Sequence, residues 1–274
     1  MKIEIARIIA LTEQAGRHVL GNLKSGNFTV KYKEDNSPVT NLDEEAASII
    51  RDGLSRLTPS LPIITEEDQD VSSVVRDKLS QPIKWFVDPI DGTQTALGFA
   101  EGRENYDGWG IHLGLIEGDM PEKGFVYFPA RNDGTLYFTS NDGIAYKQIG
   151  KNEPEKISVK SISENEPIKA SVGWLKETHP EKIAGREYIP VCSVGGERVC
   201  FVADGSSHIA WLNGFFRPWD IAASHAVLRA ANGAIVTSDG NGNDLDYSNK
   251  KLALRPAVAG SLSSLKELGF YTRK

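Results

Sequence analysis

The sequence predicts an α+β half followed by an α/β half. Apolar residues recur at helical spacing in two N-terminal segments, and short β-rich runs broken by Gly, Asn and Asp turns fill residues 109–149. From about residue 160 strand-like and helix-like segments alternate. A boundary there separates an expected α+β domain, 1–160, from an α/β domain, 161–274, and 274 residues are enough to give each a core.

The elements follow in order. Residues 3–23 carry Ile5, Ile8, Ile9, Val19, Leu20 and Leu23 on the face of an amphipathic helix. A polar loop follows at 31–38, and Thr40-Asn41-Leu42-Asp43 then has the hydroxyl-x-x-acid form of a helix start. Leu42, Ala46, Ile49, Ile50, Leu54 and Leu57 give that helix its apolar face. Residues 61–65 read as a short strand running into Glu66-Glu67-Asp68. Trp85-Phe86-Val87 reads as a buried strand ending at Asp88-Pro89-Ile90-Asp91-Gly92-Thr93, where Pro89 should stop the ladder and Gly92 permits a tight turn. A polar, glycine-rich segment spans 98–108, and the runs 109–116, 124–128, 135–139 and 144–149 are expected to form an antiparallel meander. Further strands are expected at 170–174, 188–192, 208–212, 234–237 and 252–258. Helices are expected around 180–186, near 196–203, from 219 to 231 and at the C-terminus.

Composition narrows the function. A net charge of -6 argues against the broad basic surface that a nucleic-acid polymer or an anionic membrane requires. Cys192 and Cys200 are too few for a zinc site and read as free thiols in a reducing compartment. Glu4 and Arg7 interrupt the N-terminal residues, so no signal peptide is expected there, and no run of about 18 apolar residues exists to span a bilayer. A cytoplasmic protein without integral membrane association is expected.

The acidic residues carry the chemistry. Glu66 and Glu67 close one strand, Asp88 and Asp91 close another, and Asp220 sits in the first turn of a helix begun by Pro218. An acid in a first helical turn meets the dipole favourably, and strand-end acids are usually solvated turns. Asp88 and Asp91 are different, because Gly92 and Thr93 place amide donors beside them, a cradle for phosphate. Two carboxylates about 4 Å apart repel by about 4 kcal/mol at an effective dielectric of about 20. Mg2+ with oxygen ligands relieves that repulsion.

Taken together, Glu66-Glu67-Asp68, Asp88-Pro89-Ile90-Asp91-Gly92-Thr93 and Trp219-Asp220-Ile221-Ala222-Ala223 resemble the inositol monophosphatase superfamily of Mg2+-dependent, lithium-sensitive phosphatases. The segments 33–40, 57–59 and 64–68 resemble its CysQ branch of 3'(2'),5'-bisphosphate nucleotidases. The resemblance implies the layered α-β-α-β-α sandwich of the inositol monophosphatase and fructose-1,6-bisphosphatase type. It implies two or three Mg2+ ions held by Glu66, Asp88, Asp91, Asp220 and the Ile90 carbonyl. Asp43 and Thr93 would orient and activate the attacking water with Glu66 beside them, and Gly92, Thr93, Asp220 and Arg198 would contact substrate. Glu67 would lie behind the ligands or serve a third ion. The reaction implied is removal of the 3'-phosphate from adenosine 3',5'-bisphosphate. An inositol or sugar phosphatase is the alternative, and a non-catalytic binding protein a distant third. The superfamily often forms homodimers, although no apolar stripe in this sequence demands one.

The chain departs from that branch around the substrate. Gln94-Thr95-Ala96-Leu97 and a longer loop with Arg103 and Glu104 follow Thr93, and Ser193-Val194-Gly195-Gly196-Glu197-Arg198 replaces a Ser-rich stretch. Glu197 would repel a second phosphate if it faced the pocket. Asp239 to Asp244 lacks the glycine and final glutamate of a calcium loop and reads as a turn. His18, His112, His179, His208 and His225 show no metal-ligand spacing. Trp174, Trp211 and Trp219 read as core before base-stacking platforms.

Overall fold

The computed structural model describes residues 3–33, 36–68, 73–164, 166–174, 179–214, 216–239, 245–248 and 252–271. The loop residues Glu34 and Asp35 and most of the 239–244 turn lie outside the described residues.

Two helices open the chain, α1 (Ile5–Ser25) and α2 (Asn41–Leu57), joined through a hairpin of β1 (Val30–Tyr32) and β2 (Pro38–Thr40). Thr40 caps α2 as its sequence predicts. Its hydroxyl accepts from Leu42 N–H at 3.1 Å, while Asp43 Oδ2 accepts from the Thr40 N–H at 2.7 Å. A seven-stranded sheet follows in sequence order, comprising β3 (Ile63–Thr65), β4 (Ile83–Asp91), β5 (Gly110–Glu117), β6 (Met120–Phe128), β7 (Thr135–Thr139), β8 (Ala145–Ile149) and β9 (Glu155–Lys156). β3 and β4 are parallel, and from β4 onward the sheet is the expected antiparallel meander.

A second sheet, ordered β11-β10-β12-β14-β13, uses β10 (Ile168–Val172), β11 (Tyr188–Cys192), β12 (Ile209–Leu212), β13 (Gly233–Thr237) and β14 (Ala257–Ser261). Helices α5 (Glu197–Ala203) and α6 (Pro218–Ala230) lie between the two sheets, and α7 (Leu262–Glu267) packs on β14. The layers thus run α-β-α-β-α, as the resemblance implies.

Strand alternation explains the layering. In β5, Ile111, Leu113 and Leu115 face α1 and α2 in one core cluster. Gly110, His112 and Gly114 point the other way, towards α5 and α6. A Cβ on Gly114 would stand 2.7 Å from the Ala223 amide nitrogen, and one on Gly124 2.0 Å from the Ala223 carbonyl oxygen. These glycines let α6 lie directly on the sheet backbone, which brings Asp220 to β4. A single core cluster joins Phe86, Val126 and Phe128 of the first sheet to Ala210, Ile235 and Ala259 of the second through Trp219, Ala222 and Val227. Among the described residues no helix is long and apolar enough to cross a membrane.

Several elements differ from expectation. Residues 180–186 form no helix: Ala184 and Gly185 both take positive φ, and a bridge pairs Ile183 with Arg186 around a tight turn. The last strand falls at 257–261 rather than 252–258, because Leu254 is committed to a bridge with Phe216. Two short helices, α3 (Ser73–Leu79) and α4 (Thr93–Ala100), occupy stretches not read as helical. Pro89 does not end the ladder of β4. Pairing shifts register between Asp88 and Asp91 and resumes with Asp91 opposite Gly110.

Candidate active site

β4 delivers the first pair of acids. Asp88 pairs opposite His112 and Asp91 opposite Gly110, the register shift between them leaves Pro89 and Ile90 out of the ladder, and the Ile90 N–H donates to Asp88 Oδ1 at 3.0 Å. Gly92, at φ 84°, is the left-handed residue from which α4 starts, so Thr93 lies in a first helical turn whose amides lack intrahelical acceptors. Asp43 reaches the same place from α2. Its Oδ2 accepts both the N–H and the hydroxyl of Thr40 at 2.7 Å, which leaves Oδ1 to accept from the Thr93 hydroxyl at 3.1 Å. The Thr93 hydroxyl also lies 3.3 Å from the Ile90 carbonyl.

Glu66 arrives at the end of β3, which pairs with β4 with Thr65 opposite Val87. Lys33 Nζ stands 2.7 Å from its Oε1. Burial works against that ammonium, yet its hydrogen bond to Glu66 and the charges of Glu66, Glu67 and Asp43 leave it more basic than usual. Glu67 is exposed beside Glu66.

Asp220 comes from the other half of the chain. Its Oδ2 accepts from the Arg217 N–H at 2.8 Å, which fixes the first turn of α6. Two groups touch both Asp91 and the Asp220 backbone. Gly196 donates its N–H to Asp91 Oδ2 at 3.0 Å, and a Cβ there would lie 2.9 Å from the Asp220 carbonyl oxygen. His112 lies with Nδ1 3.3 Å from that carbonyl and Nε2 3.6 Å from Asp91 Oδ2. The structure therefore brings together Asp43, Glu66, Asp88, Ile90, Asp91, Gly92, Thr93 and Asp220.

The electrostatics are those of acids under mutual repulsion. Burial raises the pKa of Asp88 well above its ordinary value, and Glu66, Asp91, Asp220 and Asp43 raise it further. Burial does the same to Asp220, followed by Asp91. Glu66 is raised by burial despite Lys33, and Asp43 by burial despite its Thr40 and Thr93 donors. Among the described residues no three His, Cys, Asp or Glu side chains already form a group that could hold a metal ion. The acids are held instead by Lys33, Gly196, Arg217 and Thr40. Lys33 pairs with the partly buried Glu66, and Glu66, Asp88, Asp91 and Asp220 offer oxygen alone, a donor chemistry that fits a hard divalent cation.

The residues around the substrate side are differently arranged. Arg198 donates to the Ser193 and Trp211 carbonyls, each at 3.3 Å, and its guanidinium lies over the Phe216 ring. Glu197, 1% exposed, faces Gly108 and Arg131 rather than an open pocket. Its Oε1 lies 2.8 Å from Arg131, which also pairs with Asp107 at 2.9 Å. Burial outweighs Arg131 and raises the Glu197 pKa to about 8. His225 is a core residue, with Nδ1 2.9 Å from the Tyr247 hydroxyl.

Sequence reasoning missed Arg131 and saw in His112 only a histidine without metal-ligand spacing. A Cβ on Gly195 would lie 2.0 Å from Asp91 Oδ2, so this glycine makes room for the Asp91 carboxylate. The available signal was the Gly-x-His-x-Gly alternation of β5, which puts a polar ring between two residues that admit a helix.

The inositol monophosphatase family model matches residues 3–268. The chain belongs to the inositol monophosphatase family. It is accordingly an enzyme of the phosphatase class. The 3'(2'),5'-bisphosphate nucleotidase CysQ of Buchnera aphidicola is 31% identical over 247 residues, covering 88% of this chain and 86% of that protein. Two solved structures share the family fold. The extragenic suppressor protein suhB of Bartonella henselae has a TM-score of 0.73 at 22% identity, covering 97% of this chain and 96% of its own. CysQ of Bacteroides thetaiotaomicron has a TM-score of 0.69 at 21% identity, covering 93% of this chain and 96% of its own.

Proposed function

We propose that this family member is a Mg2+-dependent phosphomonoesterase that hydrolyses the 3'-phosphate of adenosine 3',5'-bisphosphate to AMP and phosphate. The observation that carries the chemistry is the 3.1 Å hydrogen bond from Thr93 to the buried Asp43, made beside Asp88 and Asp91 at the start of α4. The substrate rests on likeness to the Buchnera CysQ nucleotidase.

Glu66, Asp88, Asp91, Asp220 and the Ile90 carbonyl are assigned as ligands of two or three Mg2+ ions, with Glu67 behind Glu66. Bound Mg2+ supplies Lewis-acid polarisation of the phosphoryl oxygens and a water of lowered pKa. Thr93 gives its proton to Asp43, so its oxygen lone pairs are left to accept from the attacking water and aim it. Asp43 is the base behind that hydroxyl, held in place by both Thr40 donors. The Gly92-Thr93 amides and the positive end of α4 bind the phosphate. Asp220 is assigned to the leaving-group side, and Arg198 to the substrate wall. The free thiols Cys192 and Cys200 suit the cytoplasm.

One observation favours a second reading, an inositol- or sugar-phosphate phosphatase. Arg198 is spent on main-chain carbonyls and Arg131 on two carboxylates, so neither offers a second phosphate an uncommitted cation. Phosphate release from adenosine 3',5'-bisphosphate and from inositol 1-phosphate, with Mg2+ and with EDTA, separates the readings. Mg2+-dependent turnover favouring the bisphosphate is expected. Preference for the inositol ester by more than about tenfold, roughly 1.4 kcal/mol in the transition state, would overturn the substrate assignment.

A further inference from the structure

His112 belongs to no assigned role, yet its position is unusual. It is 0% exposed and lies on β5 opposite Asp88 in the register of the sheet. Its ring meets Phe128 edge-on on one side, and on the other a Cβ at Gly196 would come within 2.6 Å of Cε1. A main-chain carbonyl only accepts, so the nitrogen 3.3 Å from the Asp220 oxygen, Nδ1, is the one that carries hydrogen. That assignment leaves Nε2 as a bare lone pair. Nε2 is buried without a hydrogen-bond partner, 3.6 Å from Asp91 Oδ2. That same Oδ2 accepts the Gly196 N–H at 3.0 Å. The imidazole thus hooks the first turn of α6 on one side and lies against the Asp91 carboxylate on the other.

We propose that His112 is a positioning residue that locks the spacing between Asp91 and the Asp220 turn and thereby strengthens divalent-cation binding by both carboxylates. The inference rests on the metal-site reading above. Asp220 stands on a helix from the second half of the chain and Asp91 on a strand of the first, so their separation depends on what joins α6 to β5. Gly114 and Gly124 let α6 sit directly on the sheet backbone, and Arg229 ties its C-terminal end to Pro121 and Glu122 of β6. At the opposite end, the hydrogen bond from His112 is the directional link from β5 to the Asp220 turn.

Two variants separate hydrogen bonding from packing. In His112→Asn the amide nitrogen falls where Nδ1 stands and can donate to the Asp220 carbonyl. In His112→Phe the ring volume beside Phe128 is kept and both nitrogens are lost. The probe is Mn2+ added to substrate-free full chain, with free ion followed by electron paramagnetic resonance and folding by circular dichroism. The inference expects Mn2+ affinity to fall at least about tenfold in His112→Phe and to stay within about threefold of the native chain in His112→Asn. Native affinity in His112→Phe assigns the ring to packing and overturns the proposal. Equal loss in both variants, or a His112→Phe chain that does not fold while His112→Asn binds weakly, overturns it as well. A native chain that takes up no Mn2+ sinks the metal-site reading and this inference with it, an outcome distinct from failure of His112 alone.

Discussion

Gly196, Gly195 and His112 all close on the Asp91 carboxylate. Asp91→Asn removes one charge from a repelling set, so phosphate release should fall by at least about 10^3-fold. The metal-free melting temperature should stay level or rise, because repulsion with Asp88 and Asp220 is relieved. A variant that loses activity only by unfolding in circular dichroism would contradict this. Thr93→Val keeps side-chain shape and deletes the hydroxyl that joins Asp43 to the water path. Steady-state kinetics should show kcat lower by about 10^2-fold or more, with KM little changed. The acids were legible in the sequence as an ordered set of motifs, since each closes a strand or opens a helix; singly they have ordinary structural uses, as the caps made by Asp43 and Asp220 show. His112 was not, because its partner on Asp220 lies 108 positions away and a lone histidine inside an apolar strand looks like core.

At the scale of elements, the start of α6 has to be delivered to the end of β4, and two glycines do this. In Gly124→Ala the new Cβ would sit 2.0 Å from the Ala223 carbonyl oxygen, so helix and sheet must separate. Urea unfolding is expected to show a loss of about 1–3 kcal/mol, together with weaker metal binding as Asp220 moves away. Unchanged stability would mean that α6 is not seated on β6 as described. The long helices and the meander were readable because their apolar periods persist over several turns or strands. α4 was not: its cap position is Gly92 with no side-chain bond, and it contains Gly98, which is needed because a Cβ there would lie 2.0 Å from Tyr106. Residues 180–186 were misread for the complementary reason. A helical-looking composition there yields to a turn in which Ala184 and Gly185 both adopt positive φ.

At the scale of the whole molecule, an interior holding several carboxylates makes stability fall with rising pH. An acid whose folded pKa is raised binds its proton more tightly in the native state. Its contribution is therefore full below the unfolded value of about 4 and is lost as pH climbs towards the folded value. For Glu197 that loss runs up to about 8, and Asp88 and Asp220 shift in the same direction. Buried imidazoles act oppositely, but His225, held at about 3 by burial, adds no further slope above about pH 6.5. Thermal melts in EDTA should thus show a lower melting temperature at pH 8 than at pH 6.5. Mg2+ should raise the melting temperature more at pH 8, because it binds the deprotonated acids; equal Mg2+ effects at both pH values would contradict the assignment. The most direct test is anomalous diffraction from crystals grown with Mn2+. The expected map places Mn2+ among Glu66, Asp88 and Asp91 with Lys33 withdrawn from Glu66. A map with Lys33 still on Glu66 and no peak beside Asp88 and Asp91 would contradict the central claim.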